Sequence, residues 1–350
     1  MRSTDTIGWF SDIGLDDRPY VGGKGGSLGE LQRAGIDVPP GFVVKTGAFE
    51  QFVQALEREA PLRARIAALD PDNLEDVAAC CQEIRARIEH TALPPAVSDE
   101  ISSAHNALSE SGRQEPVAVR SSATTEDAID ASFAGLQDTY LWVTDFEQTL
   151  QKVRSCWASL YSIESVAYRR KRGLPEEGVA MAVVVQKMVD ARTAGVMFTR
   201  SPVTGDRSVI TIEAAWGLGS AVVGGEVTPD RWVVGKVTGE ISVREVSEKL
   251  IQHRPVTSGG IESVSVALAL RHIPCLTDEE LNALRDIARK VERHYGRPQD
   301  IEWAVENHTE KILLLQSRPE TVWSAKDAAP VATVAQDPLQ HLMSIFGGRR

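Results

Sequence analysis

The sequence has too little positive charge to be a general nucleic-acid binder. Its 38 lysines and arginines stand against 49 acidic residues, a net charge of −11, and sequence-independent binding needs a basic footprint. No apolar run approaches membrane-spanning length, and "MRSTDTIGWFSDIG" carries no apolar core of signal-peptide length. Cysteine is scarce: four residues, at 80, 81, 156 and 275, with no Cys-x-x-Cys spacing. That disfavours a disulfide scaffold or a zinc site and makes reduced thiols in the cytoplasm the expectation. No fixed-period repeat is present. Two nucleotide motifs are also missing. "GGKGGS" at 22–27 lacks the four-residue spacing of a P-loop, and "GLGSAV" at 217–222 has Val222 where a dinucleotide fingerprint needs its third glycine.

What remains is an ordinary globular composition, 42% hydrophobic and 25% charged over 350 residues, enough for two or three domains. After "PPGFVVK", a turn and strand, residues 46 to about 112 read as helices, with Asn73 and Ser98 as caps. "PVAVR" is a short strand, followed by a long polar loop through "SSATTEDAIDASFAGLQDTY". One long helix is expected from about 146 to 173. "VAMAVVVQKMV" and "AGVMFT" then read as a strand pair, and "SVITIEAAW" and "RWVVGKVTG" as further strands. "TDEELNALRDIARKVERHYG" is a helix with a Thr277–Glu280 capping box and a Gly296 stop. "DIEWAVE" and "KILLLQSRP" form an antiparallel hairpin. Without a regular βαβ rhythm this order implies α+β layers.

The sequence divides into 1–115, an N-terminal lobe of helices with the Gly-Lys-Gly loop; 116–190, a strand, polar loop and helix; 191–323, a second lobe with the hairpin; and 324–350, a linker and tail. In the tail, Asp337 can cap, Pro338 can start a helix, and Leu339, Leu342, Met343 and Phe346 share one face. The expectation is that this helix docks on a partner, with folding back on its own chain as the alternative. "FGGRR" reads as a natural end.

Five stretches carry chemistry. Lys24 among Gly22, Gly23, Gly25 and Gly26 combines a mobile cation with approachable backbone N–H groups and a following helix N-terminus, a setting for phosphate unless it is a plain turn. Arg120 ends an apolar strand and faces small hydroxyl residues; pairing with Glu126 or Asp127 would explain it as well. In "SFAGLQDTY", Gly135 permits a hinge or close approach to a ligand, and Thr139 and Gln137 can donate to phosphate; a surface turn would account for the stretch equally. Glu302 and Gln316 fall on adjacent strands as cross-strand neighbours, a carboxylate and an amide oxygen suited to Mg²⁺. Arg318 shares their face, for phosphate charge or for a Glu–Arg pair. Gln186 and Met188 could frame an adenine, although a buried strand accounts for most of that segment.

Taken together, "GGKGGS", "AVRSSATTED", "SFAGLQDTY", "QKMVDARTAGVMFTRSPVTGD", "GLGSAVVGGEVTPDRW" and "DIEW…LLLQSRP" resemble the nucleotide-binding region of phosphoenolpyruvate synthase and pyruvate phosphate dikinase, over about 7–323. The resemblance implies an ATP-grasp fold: a mostly helical N-terminal portion, and antiparallel sheets enclosing a nucleotide cleft. It implies Lys24, Arg120 and Arg318 on the phosphates, Gly135 and Thr139 in a covering loop, Gln186 and Met188 at the adenine, and Glu302 and Gln316 on Mg²⁺ beside ATP. Ser220 departs from it, since the family has glutamate after "GLG".

The family passes the ATP β-phosphate to a histidine in a "GGxTSH"-like motif. None of the seven histidines, at 90, 105, 253, 272, 294, 308 and 341, has that context. A split enzyme is therefore expected, with a partner subunit carrying the phosphohistidine. The acceptor would be a small-molecule alcohol bound on that partner, with its pocket outside this chain. By resemblance to phenylphosphate and cresol-phosphorylating synthases it would be aromatic; pyruvate, a rifampin-type drug, or a nucleotide sensor without turnover are the alternatives.

Overall fold

The computed structural model describes residues 6–109, 115–124, 138–321 and 323. Gly135, Gln137 and the tail helix lie outside them, as do Glu126 and Asp127. Along the chain, β1 (Ile7–Trp9), α1 (Arg18–Arg33) and β2 (Gly41–Val44) precede four helices, α2 (Thr46–Glu57), α3 (Arg63–Ala67), α4 (Leu74–His90) and α5 (Pro95–Leu108). Then come β3 (Val117–Ala123), β4 (Thr139–Val143), α6 (Phe146–Ser159), α7 (Ile163–Lys171), β5 (Met181–Lys187), β6 (Ala191–Phe198) and β7 (Val209–Trp216). The remainder is α8 (Ser220–Val223), β8 (Asp230–Gly235), β9 (Ile241–Glu245), β10 (Ile251–Pro255), β11 (Ile261–Ser265), α9 (Asp278–Tyr295), β12 (Gln299–Glu306) and β13 (Ile312–Pro319).

Two antiparallel sheets organise these elements. One has the order β1-β2-β5-β3-β4; the other runs β13-β12-β6-β7-β8-β9, and β10 and β11 form a separate ribbon. Residues from both 1–115 and 116–190 therefore share one sheet. The expected pairing of β5 with β6 does not occur. β5 pairs with β2 and β3, whereas β6 pairs with β12 and β7. Residues 188–190 between them carry the chain from one lobe to the other.

Each sheet buries its own core. Helices α2, α4, α5 and α6 cover the first sheet around Phe49, Phe52 and Trp157. The second packs against α9 through Ile301 and Trp303 on one side and Leu281, Leu284, Ala288 and Val291 on the other. The stripe on α9 follows from its helical spacing. Its Thr277–Glu280 capping box and left-handed Gly296 form as expected.

Three local expectations change. Asn73 caps α4 by accepting from Asp76 N–H, but α5 begins at Pro95 with Pro94 before it, so Ser98 lies inside the helix. Proline fits the first helical turn, where its missing N–H has no intrahelical partner. The expected single helix over 146–173 is two helices, and Ser162 restarts the second by accepting from Ser165 N–H. The expected glycine loop around Lys24 is instead part of α1, which kinks at Gly22 (φ 69°, ψ 177°).

Candidate functional site

A cleft of about 1720 Å³ is lined by residues of both sheets. Among the described residues, Lys24, Arg120, Thr139, Gln186, Met188, Glu302, Gln316 and Arg318 all line it. They come from six separate stretches of sequence, and the fold brings them together.

The kink in α1 positions Lys24. At Gly22 a Cβ would lie 2.2 Å from the Ser122 carbonyl oxygen, and φ is positive, so only glycine fits. Ser122 holds the kink against β3: its hydroxyl donates to Val21 O at 2.9 Å, and Gly25 N–H donates back to that hydroxyl at 3.2 Å. Thus "SS" after Arg120 is continuous strand, and its work is to anchor the Lys24 segment. Lys24 is buried and sits just past the kink. Further along α1, Ser27 donates to Ser317 O at 2.5 Å, which ties this helix to β13 of the other lobe.

Strand register sets the charges. Glu302 lies directly opposite Gln316, and Asp300 opposite Arg318, so the four alternate residues share one face. Their in-between neighbours Ile301 and Trp303 point into the core. Arg120 reaches across the cleft from β3. It donates to Leu315 O at 2.9 Å, to Glu302 Oε2 at 3.3 Å, and to Gln316 Oε1. Among the described residues its carboxylate partner is Glu302 on the other sheet.

Arg318 pairs with Asp300, Nε to Oδ2 at 3.5 Å, so the cross-strand Glu–Arg pair does not form. The two arginines differ in burial: Arg120 is 9% exposed at its side chain and Arg318 is 64% exposed. Burial pushes the Asp300 carboxyl up to about 6; Arg318 pulls it down and Glu320 adds to the rise. Asp300 Oδ1 is buried with no hydrogen-bond partner.

At the other end the wall is apolar. Met188, Val189, Ala191, Ala194, Leu218, Ala304 and Leu315 pack together there. Gln186 is buried on β5 and donates through Nε2 to Pro39 O at 3.3 Å, while the Met188 backbone N–H donates to Pro116 O at 2.8 Å. "GLG" turns at Gly217 (φ 76°), where a Cβ would lie 2.5 Å from His253 O. Leu218 N–H donates to that same carbonyl at 3.0 Å. At Ser220 the hydroxyl bonds to His253 Nδ1 at 2.8 Å, and His253 Nε2 bonds to Glu226 Oε2 at 3.2 Å.

Three of these participants were not picked out from sequence. Asp300 carried a usable signal, since it is two residues from Glu302 on a strand and must share its face. His253 and Glu226 carried none: Glu226 follows α8 in the same segment as Ser220, and only the β10–β11 ribbon brings His253 between them. No group of three or more His, Cys, Asp or Glu side chains able to hold a metal occurs among the described residues. A cation here would need other oxygens to complete its shell. No described helix is long and apolar enough to cross a membrane.

A family model described as pyruvate phosphate dikinase, AMP/ATP-binding domain, matches residues 18–338. The chain is 40% identical over 348 residues to a probable phosphoenolpyruvate synthase of Staphylothermus marinus, covering 91% of this chain and 42% of that one. It is 38% identical over 371 residues to a phosphoenolpyruvate synthase of Pyrococcus furiosus, covering 95% and 45%. The figures for a probable phosphoenolpyruvate synthase of Archaeoglobus fulgidus are 43% over 316 residues, 89% and 41%. The chain thus spans less than half the length of these relatives. D-alanyl-alanine synthetase A of Vibrio cholerae O1 biovar eltor matches at a TM-score of 0.27 and 10% identity, covering 69% of this chain and 54% of that one, too slight a likeness to argue from.

Proposed function

The chain belongs to the pyruvate phosphate dikinase AMP/ATP-binding family, and from that premise we propose that its cleft binds ATP with Mg²⁺ and delivers the β-phosphate to a histidine outside these 350 residues, with AMP as the leaving group and the γ-phosphate released by water as inorganic phosphate. Its helices and two antiparallel sheets around a cleft have the ATP-grasp-like arrangement of an ATP-dependent, dikinase-type enzyme. The observation that carries the proposal is the face shared by Asp300, Glu302, Gln316 and Arg318, with Arg120 and Lys24 opposite it.

The residues fit a magnesium ion. Glu302 and Gln316 offer hard oxygens, and the partnerless Asp300 Oδ1 offers a third. Mg²⁺ is commonly held by one or two carboxylates plus substrate phosphates, so a sparse protein shell suffices. When bound, the ion would neutralise phosphate charge. Arg120, Lys24 and Arg318 supply fixed and mobile positive charge where negative charge grows as the bridging bond breaks. Gln186 and the apolar wall at Met188 would take the adenine, and Thr139 would donate to the phosphates.

His253 lines the cleft, but both its ring nitrogens are engaged by Ser220 and Glu226, which disfavours it as the nucleophile. We therefore place the phosphate-accepting histidine on a further domain or partner subunit. For the final acceptor, the relatives' names favour pyruvate over the aromatic alcohol that the split arrangement suggested.

The test is product analysis with β-labelled ATP and Mg²⁺. The chain alone is expected to bind ATP without turnover. Adding a histidine-bearing domain should release AMP and unlabelled inorganic phosphate and label that histidine; pyruvate should then take up the label as its phosphorylated product. ATP left intact in the complete mixture would overturn the transferase reading in favour of a nucleotide sensor.

A further inference from the structure

Ser220, His253 and Glu226 form one hydrogen-bonded line, and all three border the cleft. Two segments supply them. Ser220 opens α8 and Glu226 follows it, whereas His253 comes from β10. His253 is buried, and Glu226 reaches solvent with half its side chain exposed.

The order of the groups sets their hydrogens. An ionised Glu226 only accepts, so a neutral His253 directs its Nε2–H toward that carboxylate. Nδ1 is then the acceptor and takes the Ser220 hydroxyl hydrogen. Ser220 Oγ has thereby committed its one donor to the protein. Its remaining capacity is to accept, and the group it can serve from the cleft is a ligand hydroxyl.

Position narrows which hydroxyl. Next to Ser220, a methyl at Gly219 would stand 3.4 Å from the Ala194 side chain. Ala194 lies opposite Ala304, which is two residues from Glu302 on the same strand. Leu218 on the other side belongs to the apolar wall with Met188 and Val189. Ser220 therefore borders both the base slot and the charged face. In a nucleotide, the sugar lies between base and phosphates.

We propose that Ser220, oriented by His253 and Glu226, accepts a hydrogen bond from a ribose hydroxyl and makes this site selective for ribonucleotides. The inference rests on the nucleotide reading above. It is tested by calorimetric binding of ATP, 2′-deoxy-ATP and 3′-deoxy-ATP with Mg²⁺. The wild-type protein should bind ATP about 5- to 10-fold tighter than one of the two deoxynucleotides, the scale of one hydrogen bond. Ser220→Ala and His253→Phe should bind ATP as weakly as that deoxynucleotide, whose own affinity stays unchanged and so reports an intact fold. Ser220→Thr, which keeps the hydroxyl, should retain selectivity. Equal wild-type affinity for all three nucleotides, or full selectivity in Ser220→Ala, would overturn the inference while leaving the ATP site standing. Absence of any ATP binding would overturn both.

Discussion

At the phosphate end of the cleft, charge is placed by strand register: Asp300 and Glu302 on β12 meet Arg318 and Gln316 on β13, and one arginine, Arg120, crosses from the opposite sheet to join them. At the base end, the wall is made by segments that meet because the chain crosses between lobes at 188–190 and because β10 is carried against the "GLG" turn. The first end needs fixed distances between like and unlike charges, which adjacent strands supply at low entropic cost. The second needs apolar surface and a few polar contacts, which irregular segments provide as well. The contrast extends to its two arginines. Arg120 is buried and bonded on several sides, so it is part of the structure; Arg318 is exposed and holds one long contact.

That contrast can be broken by mutation. Arg120→Ala should have the largest effect, lowering ATP-dependent turnover on the order of a thousandfold and costing about 2 kcal/mol of stability through lost charged hydrogen bonds. Arg318→Ala should lower turnover about a hundredfold while shifting stability by no more than about 0.5 kcal/mol. Turnover with the histidine-bearing domain added, and thermal unfolding, measured on both proteins check this, and equal destabilisation would erase the distinction drawn between the two arginines. Glu302→Gln should abolish the extra thermal stabilisation that Mg²⁺ adds to bound ATP; a magnesium titration followed by unfolding reads this, and an unaltered response would remove Glu302 from the metal site. At the base end, Gln186→Ala should weaken ATP binding by about tenfold, again one hydrogen bond's worth, with stability read in parallel to expose any loss of the Pro39 contact.

The smallest effect lies outside the cleft. His105 is buried against Phe146, and neither ring nitrogen has a hydrogen-bond partner. Burial lowers its pKa below the usual 6.5, and Asp145 pulls weakly the other way. The unfolded chain therefore binds the proton more readily, so stability is intact above about pH 6.5 and falls as pH drops below it. His105→Phe should flatten that acid limb without changing ATP binding at pH 8. A limb of unchanged slope would show that other groups produce it.

Much of this was legible beforehand where local rules act. The Glu302–Gln316 pairing follows from a hairpin whose turn is short and whose strands alternate, and the α9 capping box and Gly296 stop follow from local hydrogen bonding. The β5–β6 hairpin misled because two apolar runs with a short polar gap look alike whether they pair or part; only the other strands competing for their edges decide it. Arg120 pairing with Glu302, 182 positions away, was likewise beyond reach of spacing.

By itself the sequence determined most element types, though not the helix at Lys24, together with the alternating face that carries Asp300, Glu302, Gln316 and Arg318 and the glycines that permit the bends at 22 and 217. These depend on backbone geometry within a few residues. Tertiary structure alone decided that β5 and β6 belong to different sheets, that Ser122 clamps the Lys24 segment, and that His253 stands between Ser220 and Glu226. Each of those is a contact between segments far apart in the chain, and such contacts are selected by which packing of the whole buries the most apolar surface while leaving the fewest polar groups unpaired.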